Sequence, residues 1–198
     1  MLGTMTEPPT ERADAARNRR KILDAAARLV AAEGAAGLSL DLVAKAADVG
    51  VGTVYRRFGD RAGLVFALLE DRERRFREKL DGPPPLGPGA PPGLRVRAFL
   101  HALVDLVEEQ RELLLLAEAS SPGARYGSPP YAAQHTHLAA LLEEAAPGLD
   151  AAYLADALLA PFTPSLISYQ LCERRFDTAR IKAGLDDLVG VVLSNTTA

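Results

Sequence analysis

The sequence has no tryptophan, a single cysteine and only 6% aromatic residues. With one cysteine there is no intrachain disulfide, so Cys172 reads as a small core hydrophobe in a chain suited to a reducing cytoplasm. No stretch approaches the roughly 18 to 20 uninterrupted apolar residues that a membrane helix needs. The opening MLGTMTEPPTERADAARNRRK also lacks the apolar region of a secretory signal. A cytoplasmic protein with no membrane partner is therefore expected. Histidine is scarce too: His101, His135 and His137 are the whole supply. His135 and His137 stand two apart, which on a helix points their rings away from each other, and no cysteine or carboxylate cluster completes a metal site. No nucleophile elbow, phosphate loop or dinucleotide fingerprint is found. An enzyme is the weakest reading, and neither cofactor nor metal is expected.

What the chain does have is a 48% hydrophobic content rich in alanine and leucine, which favours helix over sheet. The fold class expected is all-α. The net charge of −3 conceals an asymmetry. Residues 12 to 61 carry 10 Lys or Arg against 6 Asp or Glu, whereas residues 82 to 198 carry 8 against 13. A modestly basic head precedes an acidic body, so one end can approach phosphates while the rest stays soluble.

The clearest boundary is GPPPLGPGAPPG at residues 82–93, where six prolines and four glycines fill ten of twelve positions. Neither helix nor central strand survives that composition, so it reads as a flexible linker. Four segments follow: a flexible arm at 1–17, a head at 18–81, the linker at 82–93 and a body at 94–198. In the head, Ile22, Ala25, Ala26, Leu29 and Val30 recur at helical spacing up to a stop at Glu33-Gly34. Ser39 sits where an N-cap belongs, Asp48-Val49-Gly50 reads as a turn, and a third short helix runs from about Val51 to Phe58. Gly59 breaks it, and Asp60 can cap a fourth helix to about Leu80. In the body, helices are expected over 94–119, with a break possible near Gln110, and over 131–145. A further one, capped by Asp150, reaches about Arg175 and is kinked or divided at Pro161 and Pro164. Asp177 caps the last.

Two short helices joined by a tight turn with small residues packed at it make a helix-turn-helix layout. Ala44 and Ala47 let the helices approach, Val49 and Val54 anchor the second, and Gly52, Thr53, Tyr55, Arg56 and Arg57 project outward. Hydroxyls can bond phosphate, a bare glycine admits close backbone approach, and either arginine can fork onto a guanine edge. Ser39 at a helix start adds a dipole for another phosphate. Phe58 reads as a core residue. The run Asp71-Arg72-Glu73-Arg74-Arg75 reads as a solvated, salt-bridged helix face.

From Arg20 to Leu69 the chain resembles the DNA-binding domain of the tetracycline-repressor family, on RRKILDAAARLVAAEG, LSLDLVAKAADVGVGTVYRRF and GDRAGL. The resemblance implies that Ser39, Thr53, Tyr55 and Arg61 hold phosphates, that Arg56 and its helix neighbours face bases, and that a homodimer reads a palindromic operator in double-stranded DNA. It also implies a C-terminal domain that binds a small-molecule effector, with repression as the default. Two departures stand out: Asp48 occupies a turn position where the family commonly has glycine, and Gly50 one where a serine or threonine often caps the recognition helix. Base reading is therefore expected to concentrate on Tyr55, Arg56 and Arg57.

For the body, apolar stripes nominate Leu158, Leu166, Leu171, Ile181, Leu185, Leu188 and Val192 as a dimer surface. The effector pocket is expected among Phe99, Leu103, Leu114, Tyr131, His135, Phe162 and Tyr169. A flexible linker transmits little strain, so coupling between effector and DNA is expected to run through the fourth helix. An architectural DNA-binder that senses nothing is the main rival, and the acidic body argues against it.

Overall fold

The computed structural model describes residues 9–120 and 123–194, and among them every regular element is helical. The first helix, α1 (Pro9–Glu33), begins with a proline, which a helix start tolerates because its missing N–H has no intrahelical partner there. Residues 9–17, expected as part of a flexible arm, are thus helical. The intervening Glu11, Arg12, Ala15, Ala16 and Arg17 are strong helix formers, and Arg17 pairs with Asp14 three residues away. The first eight residues of that arm lie outside the described residues.

Gly34 ends α1 with φ 77°, where a side chain would be strained. After a single 3₁₀ turn at Ala35–Gly37, Ser39 takes an extended conformation and its Oγ accepts from the Leu42 amide at 3.2 Å, starting α2 (Leu40–Ala46). Asp48 makes the next turn at φ 50°, and α3 (Val51–Phe58) begins with no side-chain cap on Gly50. After Gly59, Asp60 Oδ1 accepts from the Gly63 amide at 2.8 Å and opens α4 (Arg61–Leu80). Gly63 is needed for a steric reason that the pattern GDRAGL conceals: a Cβ there would lie 2.0 Å from the Phe58 carbonyl oxygen.

The chain divides into two compact units, residues 1–71 and 72–198, so the boundary falls inside α4 and not at the proline-rich segment. In the first unit, Ile22, Leu23, Ala25, Ala26, Val43, Ala44, Ala47, Val54 and Leu64 form a nearly solvent-free core. In the second, α5 (Pro92–Ser120) packs against α6 (Pro129–Ala145), α8 (Pro164–Ser168) and α9 (Thr178–Ser194), while α7 (Ala151–Leu159) packs on α6. Phe76, from the second half of α4, lies in this core with its ring 5.8 Å from that of Phe99. Burying each such large side chain contributes about 1.5–3 kcal/mol.

Several expectations change here. Helix α5 is unbroken through Gln110, which is itself buried; no proline or glycine interrupts its interior after Gly93. The segment before α5 is not a flexible linker. It folds into successive turns in which the Gly87 amide donates to the Pro83 carbonyl at 3.2 Å, Leu86 packs against the core, and a Cβ on Gly87 would collide with the Gly82 carbonyl at 1.7 Å. It also ends earlier, since α5 starts at Pro92. The charged run at Asp71–Arg75 is not a solvated face: Asp71 and Glu73 are buried, Gln134 Nε2 donates to Glu73 Oε2 at 3.1 Å, and Arg72 reaches Glu109. Desolvation by burial raises the Glu73 pKa above the usual carboxylate value. The prolines divide the long helix, giving α7, a 3₁₀ turn at Ala160–Phe162, α8 and a π turn at Tyr169–Glu173.

Antiparallel α5 and α9 are stitched by polar pairs at helical spacing. Arg97 donates to the Asp186 backbone oxygen at 2.6 Å, His101 Nε2 lies 3.0 Å from the Asp186 carboxylate, and Lys182 meets Asp105 at 2.5 Å.

Candidate nucleic-acid interface

The two faces of α3 differ chemically as sharply as a helix of eight residues allows. Val54 and Phe58, four apart, are buried, and α2 approaches closely because Ala44 and Ala47 present no more than a methyl group. Tyr55, Arg56 and Arg57 are exposed, as are Val51 and Gly52, and Thr53 is half-buried. Arg56 and Arg57 stand in the last turn, where the helix dipole favours positive charge. Their guanidiniums enter no ion pair among the described residues. At the other end, Gly50 leaves the first amides of α3 without a side-chain partner, so they present donors outward.

The turn between α2 and α3 is held by contacts that sequence reasoning missed. The Val49 amide donates to the Ala44 carbonyl at 3.0 Å, and Lys21 Nζ lies 3.4 Å from the Asp48 carbonyl oxygen and 3.7 Å from its carboxylate. A cation from α1 therefore steadies the left-handed Asp48 at the place where a glycine would need no such help. With the partners 27 positions apart, no local pattern could have signalled the pair.

Ser39 and Arg61 are partly committed to the fold. The Ser39 oxygen accepts as an N-cap, which leaves its hydroxyl proton free to donate. Arg61 Nη2 donates to the Ala35 carbonyl at 2.7 Å and the Ala36 carbonyl at 3.0 Å. Its guanidinium ties the start of α4 to the turn after α1, a role the sequence did not suggest.

In the second unit, the residues expected around an effector scatter. Phe99, Leu103 and Phe162 are sealed in the core, Leu114 packs against it, and Tyr169 is exposed on the surface. Tyr131 and His135 do border a cavity of about 610 Å³, together with Tyr126, Ala132, Asp156 and Ala160. Tyr131 Oη donates to Asp156 Oδ1 at 2.6 Å, and burial together with that hydrogen bond pushes its pKa up to about 12. His135 Nε2 donates to the Ala152 carbonyl at 3.0 Å. Tyr126 was missed although it is the one aromatic in a glycine- and proline-rich stretch.

The expected dimer surface also needs correcting. Leu158 and Leu185 are buried core residues of their own unit, and Leu171, Ile181 and Val192 pack against that core. Leu166 and Leu188 are exposed, the latter by 52%, and the neighbouring Val191, not foreseen, is exposed by 63%.

A family model for the bacterial regulatory proteins of the tetR family matches residues 22–68, the span from mid-α1 into α4. The HTH-type transcriptional regulator AcrR of Shigella flexneri is 33% identical over 103 residues, 52% of this chain and 48% of AcrR. An HTH-type transcriptional regulator of Staphylococcus aureus is 37% identical over 59 residues, 30% of this chain and 32% of that protein. The chain thus spans about half of the first relative's length and a third of the second's. Likeness to solved structures extends further. A TetR-family transcriptional regulator from Rhodococcus sp. superposes with a TM-score of 0.68 at 26% identity, over 89% of this chain and 99% of that one. A second Rhodococcus regulator, 20% identical with a TM-score of 0.72 over 91% and 98%, shows the shared fold. All of these relatives are named as transcriptional regulators, none as an enzyme. Residues 22–68 thus match the tetR family of bacterial regulatory proteins, and over most of its length the chain is similar to a solved TetR-family regulator.

Proposed function

We propose that this protein is a transcriptional repressor that binds a palindromic operator in double-stranded DNA as a homodimer and releases it when a small molecule occupies its C-terminal unit. The observation that carries the reading is the outward face of α3. Arg56 and Arg57 extend from a helix whose other side is locked into the core by Val54 and Phe58. Such a helix can enter a major groove without rearranging. Arg56 and Arg57 would fork onto guanine edges with Tyr55 beside them, while Gly52 would let the backbone approach. Thr53 and the Ser39 hydroxyl would bond phosphates and set the register. Arg61, occupied with two carbonyls, would add charge near the backbone but act chiefly by positioning α4.

Dimerisation follows from the palindrome, because paired half-sites need paired reading helices. The exposed Leu166, Leu188 and Val191 support it, since apolar side chains of that size gain free energy once covered. The coupling path we favour is α4, which contributes residues to both units.

Selection of duplexes from a random library by the purified protein tests the reading. Enrichment of an inverted repeat with half-sites about one helical turn apart, 34–36 Å, is expected. Recovery of unrelated sequences with only salt-dependent affinity would support the rival architectural binder.

A further inference from the structure

The cavity beside α6 and α7 has a chemistry that narrows what can fill it. Its walls are the rings of Tyr126 and Tyr131, the small side chains of Ala132 and Ala160, His135, and a single formally charged side chain, Asp156. The two rings meet edge to face, 5.3 Å apart with planes at 79°, so together they form a corner and not a slot. Arg125 is the nearest cation to the rings, 5.2 Å from the Tyr131 centroid and 6.0 Å from that of Tyr126. It does not line the cavity; one of its guanidinium nitrogens donates to the Leu159 carbonyl at 3.2 Å. Asp156 is therefore not neutralised by an arginine or lysine in the lining. Its Oδ1 accepts from Tyr131 Oη, and His135 Nε2 lies 3.6 Å away from the same oxygen. That oxygen is fixed by its neighbours, and the carboxylate as a whole remains accessible, since Asp156 is exposed.

A carboxylate beside two tyrosine rings attracts a cation by charge, and the rings add apolar surface for the body that carries it. An anionic ligand would meet Asp156 without compensation. A neutral apolar one would take water from the carboxylate and return no charge or donor to it, at a cost. We propose that this cavity is a binding site for an organic cation with a flat apolar body, its charge against Asp156 and its body on Tyr126 and Tyr131. The inference rests on the reading of the C-terminal unit as the effector-binding part, and adds the ligand's charge, its shape and the residue that selects it.

Two probes of nearly equal shape separate charge from size: 10-methylacridinium, a permanent cation, and acridine, which is neutral on the alkaline side of neutral pH. Binding of each to the full chain, without DNA, is followed by ligand fluorescence at an alkaline pH where imidazoles are uncharged. The cation is expected to bind about tenfold more tightly than acridine, and Asp156→Asn, which keeps an acceptor for Tyr131, to abolish most of that difference. Tyr126→Ala is expected to weaken both probes, and Tyr153→Ala, on the exposed side of α7, to change neither. Equal binding of the two probes, or a cation preference that survives Asp156→Asn, would overturn the proposal while leaving an effector site intact. Failure of both probes to bind would count against the effector reading of this cavity as well.

Discussion

Helices α3 and α9 both carry a buried and an exposed face, yet only in α3 can the two be told apart by chemistry. In α3 the inward residues are Val54 and Phe58 and the outward ones include Tyr55, Arg56 and Arg57, so polarity marks the side. In α9 the inward Leu185 and Val189 and the outward Leu188 and Val191 are the same kinds of residue. A helix that presents polar groups to its partner announces the fact in its composition. One that presents apolar groups looks, residue by residue, like part of its own core.

The largest effect is expected from Leu185→Asp, which buries a carboxylate without a partner and should cost roughly 3 kcal/mol or more, enough to unfold the second unit in a thermal melt. Next is Arg61→Lys. Lysine keeps the charge, but its ammonium lies one bond closer to the backbone than the Nη2 that serves both the Ala35 and Ala36 carbonyls, so about 1 kcal/mol of stability should be lost from the first unit, read as faster amide exchange in α1 and α2. Operator affinity at matched salt should change far less if Arg61 acts by positioning, and as much as for a phosphate ligand if it does not.

Glu73→Gln should act in the opposite direction, raising stability by about 1 kcal/mol at neutral pH. Burial raises the folded pKa of Glu73, so the folded state holds its proton more tightly than the unfolded chain does. The favourable contribution of the protonated form is complete below the unfolded value of about 4.5 and is lost as pH rises through the folded one. The gain from glutamine should therefore vanish in acid, and denaturant melts at both ends of that window would show it. Leu188→Asp completes the series with the smallest change in stability, within about 0.5 kcal/mol if the residue is a surface one. Sedimentation should nonetheless report a monomer; an unchanged dimer would remove Leu188 from the interface.

The sequence disclosed local features well. Ser39, Asp60, Asp150 and Asp177 cap the helices whose starts they marked, because an N-cap hydrogen bond spans only three residues. It disclosed nonlocal ones poorly. Lys21 on Asp48, Arg61 on Ala35 and Gln134 on Glu73 each join residues far apart in the chain, and no periodicity encodes them. Composition misleads at residues 82–93, where proline and glycine suggest flexibility although the same residues permit the tight turns that Gly82 and Gly87 make. The cavity was half legible. Tyr131 and His135 lie on one face of α6 and could be picked from its pattern, whereas Asp156 and Tyr126 arrive from other segments.

Whether the outward face of α3 reads DNA is decided by the operator affinity of Arg56→Ala and Thr53→Val at matched salt. Arg56→Ala is expected to lose roughly 1 to 3 kcal/mol and to relax preference at one base step. Thr53→Val should weaken binding by a similar factor on every sequence, as the loss of a phosphate contact does. If both variants, folded as the wild type is, bound the operator with unchanged affinity and preference, α3 would not be the reading helix.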